Sequence, residues 1–151
     1  RIVMVRQYRN ALERETIEIP AGARDSKTED TRVCATRELE EETGYRSENV
    51  EFLLSLRTTV AFCDEHVDEV GVKGAGAAHA VGGLHGLIYG LIAAEGHLEA
   101  TLHPEQHLDD AESIDIEIYT LDELCKMIYE GKIEDSKTVA AIMAYGNKLR
   151  G

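Results

Sequence analysis

The sequence predicts a mixed α/β fold, and three features of this 151-residue chain support the prediction. A continuous apolar run of the kind found in buried strands occupies residues 2–5, and residues 50–56 predict a further strand. A helical segment lies between them at residues 36–45. A capping box at Thr120 and Glu123 marks the start of another helix near the C-terminus. Strands and helices that alternate along the chain in this way are typical of a sheet covered by helices.

Alternating patterns predict two more strands. Residues 15–19 place Ile17 and Ile19 on one face and Glu18 on the other, which is typical of a half-buried strand. Residues 114–118 repeat the pattern with isoleucines that alternate with acidic residues. We therefore expect both segments to contribute one apolar face to the core.

The C-terminal end of the chain predicts two helices. The first begins at the capping box and ends near Gly131, because a glycine readily adopts the left-handed conformation that follows a helix. The second begins at Asp135 or Ser136, and we expect it to end at Gly146. The residues of this second helix that are expected to face the core are Val139, Ile142 and Met143.

Composition and charge limit the class of the protein and its partners. A hydrophobic content of 43% is ordinary for a globular protein, and we expect one domain over residues 1–151. The net charge of −13 argues against nucleic-acid binding and against an anionic membrane surface, since both favour basic patches. An odd number of cysteines without metal-ligand spacing indicates reduced core residues and a cytoplasmic location; the three are Cys34, Cys63 and Cys125.

The most informative stretch is the acidic helical segment that precedes Gly44. Glu38, Glu41 and Glu42 stand at positions i, i+3 and i+4, so their side chains project from one face of the helix. Each like-charge pair on such a face costs roughly 0.2–0.5 kcal/mol, and a bound cation would offset that cost. Mg²⁺ takes oxygen ligands and commonly bridges protein carboxylates to substrate phosphates. The alternative is an acidic face that is simply solvated.

This stretch resembles the signature of the Nudix hydrolase family, Gly-x5-Glu-x7-Arg-Glu-U-x-Glu-Glu-x-Gly-U, in which U is an apolar residue. The first half departs from the signature, because six residues instead of five separate Gly22 from Glu29. The loop 23–28 therefore carries one extra residue, which loops tolerate well. The second half of the signature matches at Arg37, Glu38, Leu39, Glu41, Glu42 and Gly44.

The resemblance implies an α/β/α sandwich with a mixed sheet and a metal-dependent pyrophosphohydrolase activity. By the same resemblance, Glu38, Glu41 and Glu42 would bind Mg²⁺, with Mn²⁺ as the alternative cation. The backbone carbonyl of Ala21 would complete the metal site. Glu41 and Arg37 would also take part in catalysis, Arg37 by holding the glutamates in orientation. Bound cations of this kind neutralise diphosphate oxygens and activate a water for attack on phosphorus.

Residues 5–9, Val-Arg-Gln-Tyr-Arg, resemble a string typical of ADP-ribose pyrophosphatases, which are one branch of the Nudix family. That resemblance implies that Arg9 contacts the substrate, with Glu18 beside it and Arg6 as a further candidate. The alternative for both arginines is pairing with surface acids. The string at residues 130–138 also resembles the tail of this branch.

The resemblance is interrupted at about residues 68–99, which we interpret as an atypical insertion. Residues 74–94 contain no Asp, Glu, Lys or Arg, and eight of the thirteen glycines fall between positions 71 and 96. Small residues recur at every fourth position from Ala78 to Ala94, a pattern that permits a helix to pack closely. We favour a helix buried against the domain or a partner subunit. The alternatives are a flexible or grafted segment that displaces a strand, and a membrane-spanning helix.

A membrane-spanning helix and a histidine metal site are both disfavoured for this segment. A membrane crossing would separate the two halves of the catalytic fold, and the histidines and glycines of the segment weaken its apolar character. The six histidines lie between His66 and His107 at irregular spacing, which does not match a metal-site pattern.

A polar, acidic loop at residues 102–112 precedes the last predicted strand. In similar ADP-ribose hydrolases, a glutamate from the equivalent loop reaches into the site and serves as a base or a metal-associated group. Glu112 is the first candidate for that role, and Asp110 is the second. The alternative is a solvated acidic turn.

We therefore predict Mg²⁺-dependent hydrolysis of a nucleoside diphosphate sugar, most directly of ADP-ribose to AMP and ribose 5-phosphate. An N-terminal strand region, which this branch often exchanges between the subunits of a homodimer, has no match in the sequence. Val60 also stands where the branch often has a proline. The alternatives are a Nudix-like scaffold without catalysis, whose inserted helix mediates association, and a hydrolase for another nucleotide sugar or a dinucleotide.

Overall fold

The computed structural model describes residues 1–26, 28–47, 50–61, 66–72, 88–94, 99–100 and 113–150. The strands in these ranges are β1 (Ile2–Arg9), β2 (Arg14–Glu18), β3 (Tyr45–Arg46), β4 (Val50–Arg57), β5 (His66–Val72), β6 (Ile88–Ala94), β7 (Glu99–Ala100) and β8 (Ile114–Tyr119). The helices are α1 (Thr31–Thr43), α2 (Leu121–Tyr129) and α3 (Ser136–Arg150).

Strand β1 lies inside a mixed six-stranded sheet with the order β2-β1-β6-β5-β4, and β8 also pairs with β1. Ile2 pairs with Ala94 of β6 and with Tyr119 of β8, so these two strands flank opposite edges of β1. Residues 5–9 pair with β2 on the edge that β6 occupies at residues 2–3. The pairing of β5 with β6 is parallel and the other pairings are antiparallel, which confirms the predicted mixed sheet.

The continuous apolar run at the start of β1 is buried on both faces of the sheet. Ile2, Val3, Met4 and Val5 are each at most 1% exposed, although successive side chains of a strand point to opposite faces. Helices α1 and α3 both contact β6, and α3 also packs against α2. The arrangement confirms the predicted α/β fold. The hydrophobic core includes Ile17, Ile19, Leu39, Leu124, Ile133, Ala141, Ile142 and Tyr145.

The ends of α1 and the start of α2 follow from local sequence. Asp30 caps α1, because its carboxylate accepts a hydrogen bond from the N–H of Arg32 at 2.8 Å. Gly44 follows α1 with φ of 70°, as the helix-ending glycine predicts. At α2 the capping box is complete, since Thr120 accepts from the N–H of Glu123 at 3.2 Å and donates its own N–H to the Glu123 carboxylate at 2.7 Å.

The prediction that Gly146 ends the last helix is wrong. Helix α3 continues through Gly146 to Arg150, and Gly146 is buried. A Cβ built on Gly146 would lie 3.4 Å from Cδ2 of Leu121 in α2, so the glycine permits close contact between the two helices. The assignment of Met143 to the core is also wrong, since Met143 is 42% exposed whereas Ile142 is fully buried.

The prediction of a helix in the glycine-rich insertion is wrong for the described part of that segment. Residues 88–94 form β6, which pairs with β1 on one edge and with β5 on the other. Hydrogen-bond partners on both edges stabilise an extended chain, whereas an interior glycine such as Gly90 would cost a helix about 1 kcal/mol. Residues 73–87 and 95–98 lie outside the described residues.

Across the part of the chain that the structure describes, none of the helices combines the length and the apolar character that a bilayer crossing requires.

Candidate active site

The turn after β2 brings the backbone of Ala21 and Gly22 against the acidic face of α1. The N–H of Ala21 donates to the Glu42 carboxylate at 2.9 Å, and Glu42 is 5% exposed. A Cβ built on Gly22 would lie 1.9 Å from the carboxylate carbon of Glu38, so a side chain at this position would displace that carboxylate. Two of the three predicted metal-binding glutamates therefore contact the segment from which a backbone carbonyl ligand was expected.

Arg37 joins the glutamates of α1 to the same turn. Its Nη1 donates to Glu38 at 2.9 Å and to Glu41 at 2.7 Å. Its Nη2 donates to the carbonyl oxygen of Ala23 at 3.0 Å, and its Nε donates to Glu29 at 3.4 Å. Partial burial opposes the charged form of Arg37, but the neighbouring carboxylates outweigh it and raise the pKa of the guanidinium. Arg37 therefore stays charged and holds Glu38 and Glu41 side by side.

Cys34 supports this arrangement from the buried side of α1. Its thiol donates to the carbonyl oxygen of Ala23 at 3.3 Å, and its sulfur accepts from Nη2 of Arg37 at 3.0 Å. The prediction of a core thiol holds for Cys34, which is fully buried, whereas Cys125 is partly buried. Cys63 lies outside the described residues.

The acidic face of α1 is suited to a hard cation. Five carboxylates contact Arg37 or the backbone of Ala21, and they belong to Asp25, Glu29, Glu38, Glu41 and Glu42. Within the described ranges, no three Asp, Glu, His or Cys side chains form a ready-made metal-binding group, since Arg37 lies between Glu38 and Glu41. The donor atoms are all carboxylate and carbonyl oxygens, which are the ligands that Mg²⁺ takes. The residues present therefore fit the predicted cation.

A cavity of about 780 Å³ adjoins the turn at residues 21–23. It is bounded by the β1–β2 hairpin and by the segment that leads into α3. In a chain of net charge −13, a cavity whose charged lining is more basic than acidic favours an anionic ligand. The basic residues of the lining are Arg9, Arg14, Lys132 and Lys137, and the acidic residues are Glu18, Glu134 and Asp135.

Arg9 and Glu18 form a two-point ion pair in the wall of this cavity. The Nε of Arg9 donates to one oxygen of Glu18 at 2.7 Å, and its Nη2 donates to the other at 2.6 Å. Burial acts to raise the pKa of Glu18, which is 3% exposed, but the hydrogen bonds and charges of Arg9 and Lys137 outweigh it and lower the pKa to about 2. Glu18 is therefore ionised throughout the physiological range.

The start of α3 is attached to the end of β2 through polar contacts. Lys137 donates to Glu18 at 2.5 Å and to Asp135 at 2.8 Å. The carboxylate of Asp135 accepts from the N–H of Thr138 at 3.0 Å and from its hydroxyl at 2.6 Å. The same hydroxyl oxygen accepts from the N–H of Ile19 at 3.1 Å. These contacts fix the strand end immediately before the turn that meets α1.

No role in the site was predicted for Lys137 and Thr138. Their only signal in the sequence was the string at residues 130–138, which resembles the tail of the same enzyme branch. A contact between residues 119 positions apart, as between Glu18 and Lys137, leaves no local pattern that could reveal it.

Arg6 is not brought to the cavity. Its Nε donates to Glu117 at 2.8 Å and its Nη2 donates to the same carboxylate at 3.1 Å, so it follows the alternative of pairing with a nearby acid. Arg6 stands three residues before Arg9 on β1, and the two side chains therefore point to opposite faces of the sheet. The two candidates for the catalytic base, Glu112 and Asp110, lie outside the described residues.

Comparison with known proteins gives one family and several relatives. A family model described as the NUDIX domain matches residues 1–142. The chain is 40% identical over 142 residues to the methanol dehydrogenase activator of Bacillus methanolicus, which covers 94% of this chain and 63% of that protein. It is 30% identical over 142 residues to the ADP-ribose pyrophosphatase of Bacillus subtilis strain 168, with the same two coverages of 94% and 63%.

A third relative has a slightly lower sequence identity. The ADP-ribose pyrophosphatase of Mycobacterium tuberculosis is 29% identical over 143 residues, which covers 95% of this chain and 58% of that protein. The chain thus spans less than two thirds of the length of each of these three relatives.

Proposed function

This chain belongs to the Nudix family, and from that premise we propose that it catalyses the Mg²⁺-dependent hydrolysis of a nucleoside diphosphate sugar. ADP-ribose is the leading substrate, because relatives at 30% and 29% identity are named ADP-ribose pyrophosphatase. One observation carries the proposal. Glu38 and Glu42 contact the backbone of Ala21 and Gly22 at the edge of a basic cavity.

The carboxylates of Glu38, Glu41 and Glu42 and the carbonyl oxygen of Ala21 would hold Mg²⁺. When bound, the cation neutralises charge on the diphosphate oxygens and makes an attacking water more acidic. Arg37 keeps Glu38 and Glu41 in place by donating to both from one nitrogen. A positioned ligand set of this kind lowers the reorganisation needed at the moment of reaction.

Arg9 binds the anionic part of the substrate from the cavity wall. Two of its nitrogens are engaged by Glu18, and Arg9 keeps further N–H donors for a phosphate because a guanidinium carries five. A planar, permanently charged guanidinium suits phosphate oxygens better than an ammonium does. The adjoining turn at Ala21 and Gly22 then places the diphosphate next to the acidic face of α1.

The reaction breaks one bond of the diphosphate bridge. The water oxygen bonds to one phosphorus, the bond between that phosphorus and the bridging oxygen breaks, and the leaving phosphate keeps the bridging oxygen. With ADP-ribose the products are AMP and ribose 5-phosphate. We propose Glu112 as the group that takes the proton of the water or positions that water, with Asp110 as the second candidate. Both assignments are predictions from the sequence.

The test is a turnover assay with a panel of substrates. The protein is incubated with ADP-ribose, other nucleoside diphosphate sugars and dinucleotides, with Mg²⁺ or with EDTA, and the products are separated by chromatography. The proposal predicts equal amounts of AMP and ribose 5-phosphate from ADP-ribose, and only with Mg²⁺. A folded protein that hydrolyses none of the panel would favour a scaffold without catalysis. Faster turnover of another member would move the substrate assignment to that compound.

A second candidate function is favoured by one relative. The protein at 40% identity is named for activating a methanol dehydrogenase. A dehydrogenase of that class can be assayed for methanol oxidation with and without this chain. Stimulation by the wild-type chain that is absent with the Glu41→Gln/Glu42→Gln variant would indicate an activator whose effect requires hydrolysis. Equal stimulation by both proteins would indicate an effect of binding alone.

We also propose a context for this activity. A small-molecule nucleotide as the substrate, a single domain over residues 1–151 and a cytoplasmic location are all consistent with the acidic charge and the thiol cysteines. A homodimer is the proposed assembly, by likeness to the same enzyme branch. Gel filtration with light scattering measures the assembly directly.

A further inference from the structure

We propose that Lys137 is a positioning residue, which holds the carboxylate of Glu18 and thereby fixes the orientation in which Arg9 meets the substrate. The inference rests on the proposed function, because it concerns how the same cavity binds an anionic nucleotide. It assigns a role to a charged side chain of α3 that is 7% exposed and that lines the cavity.

The hydrogen bonds of Glu18 occupy both of its oxygens in the same way. One oxygen accepts from Nε of Arg9 at 2.7 Å and from the hydroxyl of Thr16 at 2.6 Å. The other accepts from Nη2 of Arg9 at 2.6 Å and from Nζ of Lys137 at 2.5 Å. Each oxygen therefore has one bond to Arg9 and one bond to a fixed neighbour. Because a carboxylate has about four acceptor positions, this set leaves little freedom of rotation.

The orientation of Glu18 determines the orientation of Arg9. Two parallel hydrogen bonds between a guanidinium and a carboxylate favour a shared plane. Thr16 and Lys137 hold the plane of the carboxylate, so they also hold the plane of the guanidinium. Arg9 is the member of this pair that reaches solvent, since its side chain is 40% exposed whereas that of Glu18 is 4% exposed.

Lys137 also balances the charge of the cavity wall. The ion-pair chain, which consists of Arg9, Glu18, Lys137 and Asp135, carries two positive and two negative charges. Replacing Lys137 by a neutral residue would leave a net negative charge beside a cavity that is proposed to accept a diphosphate. The loss would therefore weaken substrate binding both through orientation and through charge.

The experiment is a double-mutant cycle on ligand affinity. The Kd for ADP-ribose is measured by titration calorimetry in EDTA, where turnover does not occur, for the wild-type chain, Lys137→Met, Arg9→Ala and the double variant. We expect Lys137→Met to raise Kd about tenfold in the wild-type background and by a clearly smaller factor, the part due to charge alone, when Arg9 is already alanine. A merely structural role would weaken binding equally in both backgrounds, and that result would overturn the proposal, as would an unchanged Kd in Lys137→Met.

Two further variants separate position from charge and from general damage. Lys137→Arg keeps the positive charge and is expected to restore Kd to within about threefold of wild type. Lys148→Met is the matched control, because Lys148 lies on the same helix and pairs with the half-exposed Glu51. Its Kd is expected to equal that of wild type. If Lys137→Met does not fold, Lys137→Gln removes the charge while keeping a polar side chain. The same double-mutant cycle is then measured with Lys137→Gln.

A failure of the role proposed for Lys137 can be told apart from a failure of the proposed function. Wild-type chain that binds ADP-ribose but does not hydrolyse it with Mg²⁺ contradicts the function, while the Kd cycle still decides the role of Lys137. Wild-type chain that hydrolyses ADP-ribose with Mg²⁺ but does not bind it in EDTA leaves the function standing and overturns the role of Lys137, because Arg9 then does not hold the nucleotide without the cation. Normal turnover together with equal effects of Lys137→Met in the two backgrounds overturns only the role of Lys137.

Discussion

Two charged regions contact the end of β2 and the turn that follows it, and they balance their charges differently. In the ion-pair chain, acids and bases alternate one for one at distances from 2.5 to 2.8 Å. On α1, Glu38 and Glu41 share the single guanidinium of Arg37, which also pairs with Asp25 and Glu29 of the preceding loop. The first region is complete without a ligand and therefore suits a positioning role, whereas the second carries an excess of negative charge that a bound cation would offset. Each of the following changes tests that contrast.

The largest effect is expected from removing negative charge on α1. Glu41→Gln combined with Glu42→Gln keeps the shape of the side chains but removes two proposed cation ligands. We expect kcat for ADP-ribose to fall by more than about 1,000-fold, since removing one group that stabilises the transition state already costs about 100- to 1,000-fold. Turnover is measured from AMP release at saturating Mg²⁺.

The matched control for this variant is Glu40→Gln. Glu40 lies on the same turn of α1 but pairs with Arg46 at 2.5 Å, away from Arg37. We expect its kcat to stay within about twofold of wild type, because surface ion pairs contribute little. A double variant as active as Glu40→Gln would contradict the difference drawn between the two faces of the helix.

In the balanced region the expected effect is on stability and depends on pH. The pKa of Glu18 lies at about 2 in the folded protein, against an ordinary value of 4.5. Folding therefore favours the ionised form, and this stabilisation is present above pH 4.5 and is lost as the pH falls towards 2. Its size is about 3 kcal/mol. Urea unfolding of wild type and Glu18→Gln should give a difference in unfolding free energy that shrinks by about that amount between pH 6 and pH 2.

The exposed Glu15 on the same strand provides the control for this titration. Glu15→Gln should change the unfolding free energy at pH 6 by less than about 1 kcal/mol, because a surface ion pair contributes little. A difference between wild type and Glu18→Gln that stays constant over the whole range would mean that the ion-pair chain does not stabilise the ionised carboxylate.

A smaller effect is expected from Arg37→Lys. Lysine keeps the positive charge but cannot contact Glu38, Glu41 and the Ala23 carbonyl together in the planar geometry of a guanidinium. We expect kcat to fall about 10- to 100-fold, the range found when a partner that orients metal ligands is lost. Unchanged kcat in Arg37→Lys would show that charge alone matters at this position.

The smallest effects come from two glycines. Gly131 has φ of 69° with no atom near its Cβ position, so Gly131→Ala should cost about 1 kcal/mol of unfolding free energy and leave Mg²⁺ affinity unchanged. Gly22→Ala should weaken Mg²⁺ affinity and leave the unfolding free energy nearly unchanged. Its new methyl group displaces the carboxylate of Glu38, which is a proposed cation ligand. Chemical unfolding and Mg²⁺ titration of both variants measure the two quantities. Loss of Mg²⁺ affinity in Gly131→Ala but not in Gly22→Ala would contradict the placement of the Mg²⁺ site beside Gly22 and Glu38.

The comparison also explains which features the sequence could predict. The acidic face of α1, its end at Gly44 and the capping box at Thr120 depend on residues within one or two helical turns, and local rules predict them. Lys137 meets Glu18 only because β2 and α3 pack together, so the balanced region could not be assembled from local pattern.

Two of the wrong predictions, the helix in the insertion and the helix end at Gly146, have the same physical origin. The small residues before and within β6 follow a helical spacing, but pairing with β1 and β5 determines the conformation of residues 88–94. Gly146 has the residue type of a helix end, but contact with Leu121 keeps it inside α3. In both cases a tertiary contact overrides a local preference.

The central claim is that the acidic face of α1 requires an external cation, and Mn²⁺ binding tests it most directly. Electron paramagnetic resonance of free Mn²⁺ reports how much of the ion a given concentration of protein binds. The account predicts saturable binding by wild type and by Glu40→Gln, and loss of that binding in Glu41→Gln/Glu42→Gln. Equal Mn²⁺ binding by wild type and the double variant would contradict it.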